Sequence, residues 1–293
     1  MGQENILEEL AVRLAGLSDT PSLDAQVLLA QILDRPRAWV LAHPEIELTL
    51  LHKSDLEAAL KRLEAGEPLP YMLGHWEFFG LDFIVTPDVL IPRPETELLV
   101  ETALHWLRAR PDRRIAADIG TGSGCIAVSL AVNVQDLHVI ATDISQSALE
   151  VARRNAEKFN MARRIDFYCC DIFPAMDNGR RTMVHALSST VDLIAANLPY
   201  IPTKTLRGLR VYGREPTSAL NGGRDGLNLI RRLLAAAPRY LAQGGLMLLE
   251  IEASEGPRVL SLAYDAFAEA EIRLHQDLSG HDRLVEIQLV TGH

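Results

Sequence analysis

The strongest constraint on the fold is a strand, a glycine-rich turn and a helix that follow one another in the middle of the chain. Residues 115–118, Ile-Ala-Ala-Asp, are predicted to form a strand, glycines follow at positions 120, 122 and 124, and residues 125–132 have a helical pattern. Glycine in such a turn lets the backbone approach a ligand closely and adopt dihedral angles that a side chain would forbid. The sequence therefore predicts an α/β domain with a ligand-binding turn after its first strand.

Strand and helix patterns keep alternating beyond this turn. Further strands are predicted at residues 138–143, 165–170, 191–196 and 246–251, and helices at 145–159, 227–241 and 256–270. Alternation of this kind predicts a doubly wound, mostly parallel sheet with helices on both faces. The chain ends with two strands near 272–276 and 283–289, and because only a short turn joins them, one must be antiparallel. The polar stretch 175–190 is predicted to be an exposed excursion between strands.

The first quarter of the chain has a different pattern. Apolar residues recur at helical spacing over residues 5–67, and Ser22 and Ser54 stand where helix N-caps would. Residues 71–92 are rich in aromatic side chains and contain the turn-prone Gly80, which is typical of a hairpin. We predict a small all-helical domain over residues 1–70, a connecting hairpin over 71–92 and an α/β domain over 93–293.

Charge and composition restrict the class of partner. The formal net charge is -10, and residues 1–75 contain twelve Asp and Glu against six Lys and Arg, a local excess of 12 − 6 = 6 negative charges. Nucleic-acid binding usually needs a basic face, so we expect a protein partner and no direct nucleic-acid binding. No segment has the pattern of a signal peptide or a membrane span, and the three cysteines lack the spacing of a disulfide framework or a zinc site. A cytoplasmic location, no membrane association and no metal are therefore expected.

A candidate nucleoside-binding site surrounds the glycine-rich turn. Asp143 ends the second predicted strand of the alternating region, where a carboxylate is placed to accept hydrogen bonds from ribose hydroxyls. Nicotinamide cofactors use the same platform, but their fingerprint is G-x-G-x-x-G, whereas this chain has G-x-G-x-G. The residues predicted to bind the cofactor here are Asp118, Gly120, Thr121, Gly122, Ser123, Gly124 and Asp143.

A second motif, Asn197-Leu198-Pro199-Tyr200, directly follows the predicted strand 191–196. The Asn197 side-chain oxygen and the Leu198 carbonyl can each accept one N–H of a planar amide or amino group, which would aim the lone-pair face of that nitrogen at a methyl donor. Pro199 would fix the turn, and Tyr200 would stack on the planar group. The alternative is a strand-ending turn with a core tyrosine, which is more frequent in proteins generally.

Together, the glycine-rich turn and this motif resemble the class I S-adenosylmethionine-dependent methyltransferases that act on planar nitrogens. The resemblance implies a seven-stranded sheet with one antiparallel strand, S-adenosylmethionine as cofactor and S-adenosylhomocysteine as product. It also implies that Asp171 and Ile172 contact the adenine ring and that Asn197 lies against the cofactor. For Asp171 the capping of a helix is an equally good interpretation.

Further sequence blocks resemble one family within this class, the protein-(glutamine-N5) methyltransferases of the peptide-chain release factor type. The blocks that carry the resemblance lie at 67–74, 77–81, 90–97 and 219–227. The family implies methylation of the side-chain amide N5 of the glutamine in the Gly-Gly-Gln motif of release factors, with the helical domain gripping the factor. Glu95 and Glu97, in the third block, are either first-turn acids that complement a helix dipole or part of a segment that closes over the cofactor.

Three residues depart from the family pattern, and other functions stay open. Leu198 replaces the first proline of the motif, Glu252 stands where a glycine is common, and Ile172 stands where many relatives carry a larger side chain. A large-subunit ribosomal protein is an alternative substrate within the same chemistry. Asn-Leu-Pro-Tyr also occurs in ribosomal-RNA adenine N6-methyltransferases, so an RNA substrate is a rival. A binding module for translation factors that retains an inactive cofactor site is a third possibility.

Overall fold

The computed structural model describes residues 6–173 and 190–290. The chain divides into two compact units, Met1–His75 and Trp76–His293. The division predicted from the sequence, into residues 1–70, 71–92 and 93–293, stays a prediction. Apart from Thr190, the polar excursion predicted over 175–190 lies outside the described residues.

The described part of the first unit is helical. Its helices are α1 (Ile6–Leu14), α2 (Pro21–Leu33), α3 (Arg37–Ala42), α4 (Leu50–Glu64) and α5 (Leu69–Leu73). Both predicted N-caps are wrong. Because proline is favoured at the first helical position, α2 begins at Pro21 and takes Ser22 into its first turn. Helix α4 begins at Leu50, where the Thr49 hydroxyl accepts a hydrogen bond from the His52 N–H, so Ser54 lies inside the helix.

The second unit is an α/β domain that follows a hairpin. The hairpin strands are β1 (His75–Phe78) and β2 (Leu81–Ile84), joined by Phe79 and Gly80, both with positive φ. The remaining strands are β3 (Ile115–Ile119), β4 (His138–Asp143), β5 (Ile165–Cys169), β6 (Val191–Ala196), β7 (Leu241–Glu250), β8 (Ala270–Gln276) and β9 (Asp282–Leu289). The helices are α6 (Glu97–Arg108), α7 (Cys125–Asn133), α8 (Gln146–Lys158), α9 (Thr203–Leu206), α10 (Asn228–Ala236) and α11 (Gly256–Ala266).

Strands β3 to β9 form one sheet in the order β5-β4-β3-β6-β7-β9-β8. All neighbouring strands are parallel except that β9 runs antiparallel to both β7 and β8. The prediction of a doubly wound sheet with one antiparallel strand is confirmed. Since β3 pairs with β4 on one side and with β6 on the other, the winding reverses there, and a crevice forms at the carboxyl ends of these strands.

Apolar cores cover both faces of the sheet. Along β6, Leu193 and Ala195 pack in one core with helices α6 and α7, whereas Ile194 and Ala196 pack in the other with α10 and α11. This alternation follows from the two-residue period of a strand. Burial on both faces explains why the central strands are mostly apolar in the sequence, interrupted only by single polar residues such as Asp118 and Asp192.

Strand β7 is the main difference from the predicted elements. It begins at Leu241 rather than at residue 246, and helix α10 ends at Ala236 rather than at residue 241. Gly244 and Gly245 therefore lie within the strand, where the register against β6 shifts. A Cβ atom at Gly245 would lie 2.7 Å from the Ala242 oxygen, so the glycine permits a close backbone approach at this irregularity. The last helix also ends earlier than predicted, at Ala266.

Within residues 6–173 and 190–290, no helix combines the length and the apolarity that crossing a membrane requires.

Candidate active site

A cavity of about 280 Å³ opens at the carboxyl ends of β3, β4 and β6. Both sequence motifs contribute to it, together with the segment before α6 and residues of α10. Its lining is formed by residues 88–90, Pro92, Arg93, Thr96, 119–123, Cys125, Ile126, 142–145, Ala148, 170–172, 197–199, Ser218, Ala219, Leu229 and Arg232. The location agrees with the general rule that open α/β sheets bind ligands where the strand order reverses.

Three glycines of the loop after β3 have left-handed backbone conformations. Gly120, Gly122 and Gly124 have φ values of 75°, 54° and 79°. A Cβ atom at Gly120 would lie 3.1 Å from Leu198 Cδ2, and one at Gly124 would lie 3.1 Å from Ala152 Cβ, whereas one at Gly122 would meet no atom within 4 Å. Two of these glycines therefore also permit close packing, and Gly122 is required for its dihedral angle alone.

Asp118 lies beneath this loop and is not among the residues of the described chain that line the cavity. Its carboxylate is fully buried, and Oδ2 accepts hydrogen bonds from the Thr121 hydroxyl at 2.6 Å and the Ala127 N–H at 3.1 Å. Burial raises the pKa of Asp118 to about 7, although these hydrogen bonds oppose the shift. Asp118 thus ties the loop to the start of α7, and its predicted contact with a cofactor stays a prediction. Gly124 is also outside the lining.

Asp143 lines the cavity at the end of β4. Its Oδ2 accepts a hydrogen bond from the Gly122 N–H at 2.9 Å, and its Oδ1 accepts one from the Ser145 N–H at 2.9 Å. Burial raises the pKa of Asp143, against the opposing effect of these N–H groups. Each carboxylate oxygen has a second lone pair, so the group can also accept hydrogen bonds from ligand hydroxyls.

The far wall of the cavity contains Asp171 and Ile172. Ile172 has a φ of 67°, an uncommon conformation for a β-branched residue, and its carbonyl accepts a hydrogen bond from the Thr142 hydroxyl at 2.8 Å. The Asp171 carboxylate pairs with Arg232 at 2.7 Å, and both side chains are about half exposed. The sequence did not indicate Arg232, which α10 brings to this wall.

The Asn-Leu-Pro-Tyr turn closes the other side of the cavity. Asn197, Leu198 and Pro199 line it, and the Leu198 side chain is buried in the core beneath. Tyr200 is not among the lining residues of the described chain; it packs against the core of the same sheet face. Burial raises the pKa of Tyr200, and the nearby negative Glu250 adds to the shift. The stacking role predicted for Tyr200 stays a prediction.

Two glycines of the block 219–227 pack directly on the Tyr200 backbone. A Cβ atom at Gly226 would lie 2.3 Å from the Tyr200 oxygen, and one at Gly222 would lie 2.7 Å from the Tyr200 Cα. Gly222 also donates its N–H to the Ile201 carbonyl at 2.9 Å. These contacts give a physical reason for the glycines in this block, which the sequence identified only by family resemblance.

Thr96 and Glu250 are functional candidates that sequence reasoning missed. The Asn197 amide nitrogen donates a hydrogen bond to the Thr96 hydroxyl oxygen at 3.0 Å, and the Thr96 side chain in turn hydrogen-bonds to Glu250. Both Thr96 and Glu250 are buried, and burial raises the pKa of Glu250 to about 7. A carboxylate at the end of an otherwise apolar strand was the sequence signal that could have indicated Glu250.

A buried carboxylate also holds the segment before α6. Glu215 accepts a hydrogen bond from the Ile91 N–H at 3.1 Å and pairs with Arg93, which lines the cavity. Glu95 is exposed in a short 3₁₀ helix, Pro94–Thr96, and Glu97 accepts a hydrogen bond from the Phe79 N–H at 2.8 Å. Glu97 thus anchors the hairpin, a role that neither sequence interpretation foresaw.

The departure at Glu252 has a local structural role. Its side chain accepts hydrogen bonds from the N–H and the hydroxyl of Ser254 and caps the short 3₁₀ helix Ala253–Glu255. Among the described residues, no group of three or more His, Cys, Asp or Glu side chains is arranged to hold a metal ion.

Two family models match the chain. The model of the PrmC N-terminal domain matches residues 5–74, and the model of a methyltransferase domain matches residues 116–209. Together they cover the helical first unit and the part of the second that contains the glycine-rich loop and the Asn-Leu-Pro-Tyr turn.

The chain is also similar to curated proteins over nearly its whole length. It is 43% identical to the release factor glutamine methyltransferase of Moorella thermoacetica, over 94% of this chain and 95% of that protein. It is 39% identical to the protein of the same name from Coxiella burnetii, over 95% of each chain. Among solved structures, a 16S rRNA N2 methyltransferase of T. thermophilus, in complex with AdoMet and guanosine, matches with a TM-score of 0.51 at 15% identity over 73% of this chain and 49% of that chain. At this identity the last match shows the fold alone.

Proposed function

The chain belongs to the release factor glutamine methyltransferases, and on that premise we propose that it methylates the side-chain N5 of the glutamine in the Gly-Gly-Gln motif of peptide-chain release factors. The methyl donor is S-adenosylmethionine and the product is S-adenosylhomocysteine. The reaction would make this chain a modifying enzyme of translation termination, acting in the cytoplasm.

One observation carries the proposal: the cofactor loop and the catalytic turn line the same cavity and touch each other. Gly120 approaches Leu198 so closely that a Cβ atom would lie 3.1 Å from its side chain. Gly120, Gly122 and Asn197 all face this one space. A donor bound along the loop and an acceptor held by the turn would therefore meet without any rearrangement of the sheet.

The residues of the cavity fit S-adenosylmethionine. Asp143 has acceptor capacity for ribose hydroxyls, Ile144, Ile172 and Leu229 offer apolar surface for a flat base, and the space at Gly122 is open. When bound, the cofactor supplies a sulfonium methyl group, and its sulfur keeps the electron pair of the bond that breaks. The proposed binding residues remain Asp118, Gly120, Thr121, Gly122, Ser123, Gly124, Asp143, Asp171, Ile172 and Asn197.

The proposed catalytic residues act by holding the glutamine amide. An amide nitrogen is a poor nucleophile because its lone pair is delocalised into the carbonyl group. Acceptance of one N–H by the Asn197 side-chain oxygen and of the other by the Leu198 carbonyl orients the nitrogen and stabilises its developing positive charge. After the N–C bond forms, the nitrogen loses a proton to solvent. Pro199 fixes the turn, and Tyr200 packs beside the planar group.

Leu198 is compatible with this proposal because only its backbone carbonyl is used. Its side chain is buried in the core, and the close contact with Gly120 anchors the turn from below. We propose that this packing replaces the rigidity that a proline ring would supply.

A competition among substrates tests the proposed function. The protein is incubated with S-adenosylmethionine carrying a labelled methyl group, together with a purified release factor, large-subunit ribosomal proteins and ribosomal RNA. We expect label on the release factor glutamine alone. Label only on a ribosomal protein would mean that the enzyme methylates a glutamine of that protein and not of a release factor. Label only in RNA would contradict the proposal.

A substitution in the catalytic turn tests the mechanism. N197A should lower transfer by at least about a hundredfold, because the amide loses one of its two acceptors. N133A provides a matched control, since Asn133 is exposed at the end of α7 and does not line the cavity of the described chain. Transfer by N197A at nearly the wild-type rate, with unchanged cofactor binding, would contradict the mechanism.

A further inference from the structure

We infer that Thr96 and Glu250 are positioning residues that fix the orientation of the Asn197 side-chain amide, so that its oxygen rather than its nitrogen faces the acceptor substrate. The inference rests on the proposed function, in which Asn197 accepts an N–H of the glutamine. It adds two residues, from separate elements, that act through Asn197 in the proposed chemistry; Thr96 lines the cavity, and Glu250 is not among the lining residues of the described chain.

The hydrogen-bond chain begins at the Asn197 amide. The amide nitrogen donates to the Thr96 hydroxyl oxygen at 3.0 Å. The Thr96 side chain also hydrogen-bonds to Glu250, the last residue of β7. The three residues come from the end of β6, the 3₁₀ helix before α6 and the end of β7, so the fold itself brings them together.

The direction of this chain follows from a count of protons. An ionised carboxylate can only accept hydrogen bonds, so the single hydroxyl proton of Thr96 must go to Glu250. The Thr96 oxygen is then available only as an acceptor, and the group that meets it must be a donor. Asn197 therefore turns its NH₂ group to Thr96, which leaves its Oδ1 for the glutamine N–H.

Burial makes this orientation strongly preferred. Thr96 is 2% exposed and Glu250 is 1% exposed, so water does not compete for their hydrogen bonds. If Asn197 were flipped, its oxygen would meet the Thr96 oxygen, and a buried acceptor would lose its donor. A flipped amide would also present NH₂ to the N–H groups of the glutamine, which cannot hydrogen-bond.

Protonation of Glu250 would remove the constraint. A carboxylic acid can donate to Thr96, and the Thr96 proton is then free to point at the Asn197 oxygen. The groups that interact with Glu250 are Thr96, Glu95 and Arg93 from the segment before α6, Cys125 from the start of α7, Tyr200 from the catalytic turn and Arg283 from β9. The arginines favour the ionised form, and burial and Glu95 favour the protonated form.

The first test observes the amide directly, in the cofactor-bound protein without any substrate. The side-chain NH₂ signals of ¹⁵N-labelled asparagine are assigned to Asn197 by their loss in N197D. We expect these protons to exchange slowly with solvent in the wild type and at least about tenfold faster in T96V, which has the same shape and no hydroxyl. Equal exchange in the two proteins would overturn the inference.

The second test measures catalysis. T96V should lower kcat by about tenfold or more, while the Kd for S-adenosylmethionine stays within about twofold, because the oxygen acceptor is lost while valine keeps the shape of the cavity wall. T96S restores the hydroxyl and should recover most of the lost rate. A T96V enzyme with wild-type kcat, or a T96S enzyme as slow as T96V, would overturn the inference.

E250Q gives an independent result if T96V does not fold. In the wild type, kcat at saturating cofactor should fall as the pH is lowered through the titration of Glu250, and in E250Q this decrease should be absent. The same decrease in both proteins would overturn the inference. A failure of the proposed function would look different. If the wild type methylates no release factor, but its Asn197 amide protons exchange slowly only when Thr96 is present, then the proposed substrate is wrong and the positioning role of Thr96 stands.

Discussion

Two buried carboxylates support the two halves of the site, and they do so in different ways. Asp118 lies in β3 under the cofactor loop, and Glu250 ends β7 under the catalytic turn. Each is almost completely buried, each hydrogen-bonds a threonine hydroxyl, and burial raises the pKa of each to about 7. In the described chain, each also has one oxygen with no hydrogen-bond partner.

The two carboxylates differ in the part of the site to which their threonine partner connects them. Thr121 belongs to the loop itself, and Asp118 also accepts the Ala127 N–H, so this carboxylate fixes backbone conformation. Thr96 passes the interaction on to the Asn197 side chain, so Glu250 fixes the polarity of a catalytic amide. A buried carboxylate is therefore expected to govern two different quantities: Asp118 the affinity for the cofactor, and Glu250 the rate of methyl transfer.

The largest effect is expected on the cofactor side. D118A leaves the Thr121 hydroxyl and the Ala127 N–H without their acceptor in a buried place. We expect a loss of at least about a hundredfold in S-adenosylmethionine affinity and about 3 kcal/mol in the free energy of unfolding. Calorimetric titration and urea denaturation measure the two quantities. D118N, which keeps the shape, should lose less of both, and full cofactor affinity in D118A would break the comparison.

The next effect is a pH dependence of stability that both carboxylates should share. Because their folded pKa values lie above the unfolded ones, the folded protein binds extra protons between about pH 4 and pH 7. The free energy of unfolding should therefore fall as the pH rises through this window, by an amount on the order of 3 kcal/mol for each group. Asp225 and Asp277 have lowered pKa values, so the stability they contribute is lost at more acidic pH.

Urea denaturation at several pH values checks this dependence. D118N and E250Q should each flatten the decrease, and the double variant should remove most of it. A decrease that persists unchanged in the double variant would contradict the assignment to these two groups.

A smaller effect separates the halves by their glycines. In G226A the new methyl group would collide with the Tyr200 carbonyl oxygen, so the catalytic turn must shift. We expect a loss of about 2 kcal/mol in stability and a lower kcat, with cofactor affinity reduced much less. G122A is the counterpart on the cofactor side: its methyl group meets no protein atom but enters the cavity proposed for S-adenosylmethionine, so cofactor affinity should fall, while the positive φ lowers stability by only about 1 kcal/mol. Equal kcat in G226A and the wild type would contradict the role given to this packing.

The smallest effect is expected for an exposed carboxylate at the same cavity. Asp171 pairs with Arg232, but both side chains are about half exposed, so water and salt screen the pair. R232A should change the free energy of unfolding by less than about 1 kcal/mol. Thermal denaturation measures the change in stability, and cofactor titration measures any change in S-adenosylmethionine affinity. A change as large as that of D118A would mean that burial is not what distinguishes the three carboxylates.

The fold and the main motifs could be predicted because they depend on local patterns. The apolar runs of β3, β4 and β6 and the three loop glycines are visible in the sequence, and the short turn before β9 requires a reversed strand. The start of β7 could not be predicted, because Gly244 and Gly245 look like a helix stop until the close contact with β6 is known.

The roles of the buried residues beneath the site could not be predicted, for a different reason. The sequence predicts a cofactor contact for Asp118, and that contact stays a prediction; what the sequence did not indicate is that its carboxylate binds the Thr121 hydroxyl and the Ala127 N–H. Thr96 and Glu250 are far apart in the chain, and Glu250 reaches Asn197 only through Thr96, at the place where the sheet order brings the end of β7 beside the end of β6. A carboxylate at the end of an apolar strand marks Glu250 in the sequence, but the contacts themselves depend on tertiary packing, and no local pattern shows which residues meet.

The central claim is that the Asn197 oxygen holds a glutamine amide for methylation. Its most direct test is mass spectrometry of a release factor after incubation with S-adenosylmethionine and either the wild type or N197A, with cofactor binding measured in parallel. We expect one methyl group on the glutamine of the Gly-Gly-Gln motif with the wild type and almost none with N197A, at similar cofactor occupancy. Equal methylation by the two proteins, or a release factor left unmodified by the wild type, would contradict it.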